Sequence, residues 1–204
     1  MGAIEATPQG DNFFSINKTR VHVDDPLAII DLSQAIISRA RQINPKQNRP
    51  LVLLCIGTDR STGDCLGPLV GSKLILEKQN IFHIYGTLEY PVHAGNLEET
   101  MIKIHQDLEN PIIIAIDACL GNINNVGWID IGTGSLKPGA GVKKSLPSVG
   151  EIHITGIVNV GGFMEYLVLQ NTRLNLVMQM ANIIADGLRE IIHHGSNTMV
   201  ALGR

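Results

Sequence analysis

The sequence has few charged residues, and its basic residues are not clustered. Charged side chains make up 17% of its 204 residues and the formal net charge is −3. The longest run of basic residues is the pair Lys143–Lys144. A nucleic-acid-binding surface needs a patch or stripe of Lys and Arg. We therefore expect no direct contact with nucleic acid.

Cysteine is scarce, and no apolar run is long enough for a membrane span. The three cysteines, Cys55, Cys65 and Cys119, are an odd number without C-x-x-C spacing, which is typical of reduced thiols and not of a disulfide framework. No uninterrupted apolar run approaches the roughly 20 residues that a membrane span requires. The N-terminus also lacks the basic and apolar regions of a secretory signal. These absences predict a protein of the cytoplasm that does not enter a membrane.

Strand patterns and helix patterns alternate along the chain, and the length suits a single core. Apolar strand patterns occur at 51–56, 81–85, 111–116, 127–131 and 151–158. Helical spacing occurs at 26–43, 66–78, 96–108 and 162–194, and Asn171–Thr172 can break the last of these and cap a second helix. Continuous apolar strands separated by helices are typical of a parallel sheet covered on both faces. We predict an α/β fold, a three-layer α/β/α sandwich with a mostly parallel central sheet of the phosphorylase/hydrolase type. Its single domain spans residues 24–204, after an N-terminal arm at 1–23.

Two aspartates follow apolar strand-like runs. Asp64 comes after Leu51–Ile56 and a polar loop, and Asp117 directly follows Ile112–Ile116. Ligands of open α/β sheets bind at the carboxyl ends of the strands, so the two carboxylates can converge on one substrate. Carboxylates held close together raise one pKa and leave an acid beside a base. The pair predicts hydrolysis in which one aspartate activates water and the other polarises or protonates the substrate.

Each aspartate also has a purely structural interpretation. Asp64 precedes a helical pattern and can serve as its N-cap, and Asp117 can hydrogen-bond a neighbouring loop. The sequence alone leaves these interpretations open.

The loop Gly57–Gly63 before Asp64 is not a nucleotide-binding loop. A Walker A motif has four residues between its glycines and then Lys and Ser or Thr, whereas here five intervene and Asp64–Cys65 follows. A G-x-G-x-x-G fingerprint is absent as well. The polar side chains of the loop are instead assigned a supporting or substrate-binding role, with solvated loop residues as the alternative. They are Thr58, Asp59, Arg60, Ser61 and Thr62, and the later His153 is assigned the same supporting or substrate-binding role.

Three segments carry a resemblance to a known superfamily. They are the loop Gly57–Pro68 with its Asp-Cys-Leu-Gly-Pro ending, the step Ile116-Asp117-Ala118, and the later segment Glu151–Val158. They look like the superfamily of the spore germination protease and the hydrogenase maturation endopeptidases. Within it, the chain most resembles the small sporulation protease family called YyaC. The resemblance covers residues 50–195 approximately.

The resemblance implies an unusual aspartic endopeptidase with Asp64 and Asp117 as its catalytic residues. Its implied substrates are protein or peptide chains, in particular the small acid-soluble spore proteins, and its implied location is the interior of the spore or forespore. No cofactor is required in this interpretation. The chain is considerably shorter than the germination protease and shows no obvious propeptide, so zymogen activation is not carried over. Assembly as a homo-oligomer is left open.

Three alternatives remain open at this stage. In the hydrogenase maturation branch, equivalent carboxylates and a later histidine bind the nickel of the substrate protein, which implies a divalent metal site for Ni or Zn at Asp64, Asp117 and His153. His153 also fits a hydrogen-bonded core histidine. The chain can instead be a catalytically silent regulatory or binding protein of sporulation. A hydrolase that pairs Cys65 or Cys119 with His153 is the third.

Overall fold

The computed structural model describes residues 18–138 and 146–202, and these residues form six strands and five helices. The strands are β1 (Lys18–His22), β2 (Leu51–Cys55), β3 (Phe82–Tyr85), β4 (Ile112–Gly121), β5 (Trp128–Thr133) and β6 (Ile152–Val160). The helices are α1 (Ala28–Ile43), α2 (Leu66–Leu74), α3 (Leu97–Asp107), α4 (Glu165–Gln170) and α5 (Leu174–Leu202). Short 3-10 helices lie at Gly63–Cys65 and Ile123–Asn125.

The strands form one mixed sheet in the order β1-β5-β6-β4-β2-β3. Strands β3, β2, β4 and β6 are parallel to their neighbours in this series. Strand β5 runs antiparallel to β6, and β1 runs antiparallel to β5. Four adjacent parallel strands confirm the predicted mostly parallel sheet. The antiparallel pairs are confined to one edge.

Both faces of the sheet are buried in its centre. Alternate residues of β2, such as Leu53 and Cys55, belong to a core shared with α1, α2 and α5, whereas Val52 and Leu54 belong to a second core shared with α3. Because successive strand residues point to opposite faces, a central strand buried on both faces is apolar throughout. The structure therefore confirms the three-layer α/β/α arrangement.

Part of the predicted N-terminal arm belongs to the sheet. Residues 18–22 form β1, which pairs with β5 from Lys18 opposite Gly132 to His22 opposite Trp128. Val21 is buried in the core, so this short edge strand has one apolar anchor among polar neighbours. Such a pattern is weak in sequence, which is why the strand was assigned to the arm. The rest of the arm, including Phe13–Ile16, lies outside the described residues, and the single domain stays a prediction.

Strand β4 is longer than predicted. The expectation that the strand ends at Ile116 is wrong, because pairing with β6 continues from Asp117 opposite Thr155 to Gly121 opposite Val160. The register shifts once, between Cys119 and Leu120. Asp117 therefore lies within the strand and its side chain has a fixed direction.

No helix in the described parts of the chain is both long enough and apolar enough to cross a membrane.

Candidate active site

Asp64 lies at the carboxyl end of β2, in the 3-10 helix that leads into α2. The loop folds back on itself because the Thr58 N–H donates to the Asp64 carbonyl at 3.0 Å and the Asp64 N–H donates to the Ser61 carbonyl at 3.1 Å. Helix α2 starts very close to the end of β2. A Cβ on Gly67 would lie 2.2 Å from the carbonyl oxygen of Ile56. Backbone contacts thus hold Asp64 at this edge of the sheet.

The Asp64 carboxyl is half-buried, and no ion pair to it occurs among the described residues. Burial raises its pKa from 3.8 to about 6, and a hydrogen bond from the Thr58 backbone offsets part of that rise. The adjoining cap positions, Thr62 and Cys65, form no side-chain cap hydrogen bond. Asp64 follows Thr62 in the first turn, so it is not the capping residue. A carboxyl with a pKa near 6 can gain or lose a proton close to neutral pH.

Asp117 is brought to the same edge by the pairing of β4 with β2. Cys55, the last residue of β2, lies opposite Ile116, and the Ile56 N–H donates to the Ile116 carbonyl at 2.7 Å. Asp117 therefore lies just beyond the end of β2, and the 3-10 helix that carries Asp64 contacts β4. The Asp117 side chain is 6% exposed, and its Oδ1 accepts a hydrogen bond from the Ala118 N–H at 2.8 Å.

The five supporting residues that lie in the loop differ in their surroundings. The Thr58 hydroxyl accepts a hydrogen bond from the Arg60 N–H at 3.3 Å and so orders the turn. Asp59 and Arg60 are exposed, Thr62 is half-buried, and Ser61 is buried. Their role in binding stays a prediction.

His153 does not join the two aspartates. It lies on β6 opposite Ala115, and its Nδ1 is 2.9 Å from the carbonyl oxygen of Gly134. The described residues contain no group of three His, Cys, Asp or Glu side chains that is arranged to hold a metal ion. The predicted Ni or Zn ligand set of Asp64, Asp117 and His153 therefore does not fit this geometry, and we derive no catalytic step through a metal.

The two thiols near the site have environments that oppose a nucleophilic role. Burial raises the pKa of Cys65, whose Sγ donates to the Thr62 carbonyl at 2.9 Å. Burial, together with the charge of Asp117, raises the pKa of Cys119 to about 11. A nucleophilic cysteine needs a lowered pKa, because only the thiolate reacts. The geometry does not favour the Cys/His hydrolase.

A row of polar side chains extends from Asp117 across the sheet, and sequence reasoning missed it. Thr155 lies opposite Asp117, Asp130 lies opposite Thr155, and Arg20 lies opposite Asp130. Directly opposed residues point to the same face, so these four side chains form one line, which we call the polar row. Within it, Arg20 Nε is 2.6 Å from Asp130 Oδ1, and the Lys18 Nζ reaches Asp130 Oδ2 at 2.9 Å.

The charge of Asp130 is compensated. Burial by itself would raise its pKa, but the hydrogen bonds and charges of Arg20 and Lys18 outweigh burial and lower it. The only sequence signal for this buried carboxylate was that Asp130 lies between two apolar residues in the strand-like run Trp128–Ile131. Its neighbours could not be found from the sequence, because they come from β1 and β6.

The fold and the site define an α/β/α protein with two buried or half-buried carboxyls at the carboxyl edge of a parallel sheet. The chain belongs to the family described as "Protein of unknown function (DUF1256)", whose model matches residues 20–187. It is 59% identical over 155 residues to the uncharacterized protein YyaC of Bacillus subtilis strain 168, which covers 76% of this chain and 75% of that protein. The predicted YyaC-type family is thereby confirmed.

Among solved structures, the chain is similar to the [NiFe] hydrogenase maturation protease HycI from Thermococcus kodakarensis KOD1. The TM-score is 0.42 and the sequence identity is 15%, and the match covers 69% of this chain and 92% of that one.

Proposed function

We propose that this protein is a sporulation-associated endopeptidase, similar to the germination protease, that hydrolyses peptide bonds with Asp64 and Asp117. The observation that carries the proposal is that a carboxyl with a pKa raised to about 6 lies on an element that contacts the strand of a second, buried carboxyl. A carboxyl with a perturbed pKa at the ligand-binding edge of an α/β sheet is typical of an active site.

The environments of the two aspartates suggest separate roles. Asp64 is the acid, because its raised pKa keeps a larger fraction protonated near neutral pH than an ordinary aspartate would have. In the proposed reaction Asp117 accepts a proton from the attacking water, and Asp64 donates its proton to the scissile carbonyl oxygen. As the C–N bond of the tetrahedral intermediate breaks, Asp117 gives the proton that it took from water to the leaving amine. Asp64 takes a proton back from one hydroxyl of the intermediate, so both carboxyls return to their starting states. This division follows the rule that two carboxyls with different environments serve as acid and base.

The substrate and the location in this proposal come from the family resemblance. We propose small acid-soluble spore proteins as substrates and the interior of the spore or forespore as the place of action. Neither a metal nor an organic cofactor takes part in the proposed steps.

Cleavage of a purified small acid-soluble spore protein by the purified chain tests the proposal. Asp64→Asn and Asp117→Asn should each lower kcat at least about 100-fold, since acid and base groups contribute on the order of 10² to 10⁴. Asp31→Asn, which changes an exposed carboxylate on α1, is the matched control and should keep full activity. Full activity in either site variant would refute the aspartate pair.

Two results would favour the other interpretations. Stoichiometric uptake of Ni or Zn that disappears in His153→Ala would support the metal-dependent endopeptidase. Binding of the spore protein by the wild-type chain without any cleavage would support a silent binding protein.

A further inference from the structure

Four large apolar side chains at the start of α4 are exposed to solvent. With their exposed fractions, they are Phe163 (83%), Met164 (56%), Tyr166 (64%) and Leu167 (42%), and we call them the apolar patch. Soluble proteins bury most large apolar side chains, so a group of them exposed side by side is typical of a surface that binds another molecule.

Helix α4 packs directly on the 3-10 helix that carries Asp64. The approach is so close that a Cβ on Gly63, the residue before Asp64, would lie 2.8 Å from Leu169 Cδ2 and 3.0 Å from the Leu169 carbonyl oxygen. Leu169 is half-buried in this contact, whereas Tyr166 and Leu167 are exposed. The apolar patch and Asp64 therefore belong to two elements in direct contact.

Hydrogen bonds from the sheet hold α4 in this position. The Asn159 side chain on β6 donates to the Val168 carbonyl at 3.3 Å and to the Thr172 hydroxyl at 3.2 Å. The turn before α4 is tied to the end of β4, because the Gly161 N–H donates to the Gly121 carbonyl at 2.8 Å. The patch is thus presented by a fixed element, which lowers the entropy cost of binding to it.

The backbone at the apolar patch is strained. Met164 has a φ of 52° and a ψ of 44°, in the left-handed region. A methionine there lowers the stability of the fold, because its Cβ approaches the following carbonyl oxygen. Positions that keep such strain cluster at functional sites.

We propose that the apolar patch is a docking surface for the polypeptide substrate, and that it binds apolar side chains flanking the peptide bond to be cleaved. The inference rests on the proposed function and deepens it by naming a feature of the substrate. Binding energy from parts of a substrate that do not react holds the reacting bond in place. The apolar patch can supply this energy because α4 packs on the turn of Asp64.

The size of the apolar patch favours a peptide over a second copy of this chain. At about 200 Å² for a large side chain, the four exposed fractions leave roughly 500 Å² open. Each partner in a stable dimer buries about 800 Å². A few apolar side chains of an extended peptide would cover the smaller area.

The experiment measures the Kd of a fluorescently labelled small acid-soluble spore protein by anisotropy, with Asp64→Asn in every chain to prevent cleavage. Phe163→Ser combined with Tyr166→Ser should raise Kd at least about 30-fold, as for loss of an interface hot spot. The Tm should not change, because both side chains are exposed. Tyr166→Phe keeps the apolar ring and should bind like the parent chain.

Two further variants sharpen this measurement. Met164→Gly should weaken binding and leave Tm equal or higher, since glycine adopts a positive φ without strain. Leu76→Ser is the matched control, because Leu76 is 86% exposed and lies past the end of α2 that is remote from Asp64. This control should keep the Kd of the parent chain.

The outcomes separate the inference from the proposed function. If the wild type binds the spore protein through the patch and cleaves nothing, the proposed function fails and the docking surface stands. If the wild type cleaves it and the double variant keeps the parent Kd, the inference is overturned and the aspartate mechanism stands. Absence of binding by the parent chain overturns the inference as well. A wild-type dimer that the double substitution converts to monomers, measured by sedimentation, would also overturn it.

Discussion

Asp64 and Asp130 lie on opposite sides of the sheet's centre, one at the end of the parallel strands and one on the antiparallel edge. Asp130 has Arg20 and Lys18 within 2.9 Å of its carboxylate, and its pKa is lowered. Asp64 has no ion pair among the described residues, and burial raises its pKa to about 6.

The contrast separates a structural carboxylate from a candidate functional one. The buried charge of Asp130, with its two cationic partners on β1, helps to fix the register of this edge strand against β5. The Arg20 guanidinium carbon also lies 5.3 Å from the centroid of the Trp128 ring, which is a cation–π contact. A buried carboxyl without such partners costs stability whenever it is ionised. Sites that keep such a group usually use its proton.

The largest expected effect concerns the close approach that keeps Asp64 in place. In Gly67→Ala the new Cβ would lie 2.2 Å from Ile56 O and 2.6 Å from Ile56 N, both backbone atoms that cannot move aside locally. We expect the free energy of unfolding to fall by about 4 kcal/mol, measured by urea denaturation. In the control Gly187→Ala, the Cβ would meet the flexible Leu32 Cδ2 at 2.5 Å, so the loss should be much smaller. Equal losses in the two variants would show that the backbone at the end of β2 shifts to accommodate the new Cβ, and would contradict the prediction.

The pH dependence of stability should have opposite signs for Asp64 and Asp130. Raising the pKa of Asp64 from 3.8 to about 6 corresponds to a penalty of about 3 kcal/mol, absent below pH 3.8 and complete above pH 6. Asp64→Asn should therefore gain stability relative to wild type as pH rises through this interval.

Asp130 provides the opposite half of that measurement. Its lowered pKa stabilises the folded state above pH 3.8, and this stabilisation is lost as pH falls through the folded-state pKa. Asp130→Asn should thus be less stable than wild type at neutral pH, with the difference shrinking in acid. Urea denaturation at several pH values measures both trends, and the same sign for both variants would contradict the comparison.

The smallest expected effects come from the cations of the antiparallel edge. Arg20→Met should lower the free energy of unfolding by about 2 kcal/mol, less than for a fully buried pair because the Arg20 side chain is 34% exposed. Lys18→Met should cost under about 1 kcal/mol, since the Lys18 side chain is 50% exposed. Thermal melts at low and high salt measure both. A larger loss for Lys18→Met than for Arg20→Met would contradict the assigned roles.

Elements with strong local patterns were predictable. The strand predicted at 51–56 is β2, which ends at Cys55. The helix predicted at 26–43 is α1, which begins at Ala28. It begins later than predicted because Leu27 belongs to the preceding turn, where its N–H donates to the Asp25 side chain at 2.9 Å. Strand β1 was predicted only as part of the N-terminal arm, because an edge strand with one buried residue carries little periodicity. Local pattern identifies elements, and pairing partners decide their ends.

The sequence by itself determined the α/β alternation, the positions of Asp64 and Asp117 after apolar strands, and the absence of a nucleotide-binding loop. These properties depend on residues near one another in the chain. The tertiary structure alone decided which carboxylates are compensated, because Lys18, Arg20 and Asp130 come from strands more than a hundred residues apart in sequence. It also decided that the Ser61 hydroxyl is buried without a hydrogen-bond partner among the described residues, and that His153 Nδ1 lies 2.9 Å from the Gly134 carbonyl oxygen, since both depend on strand order and packing.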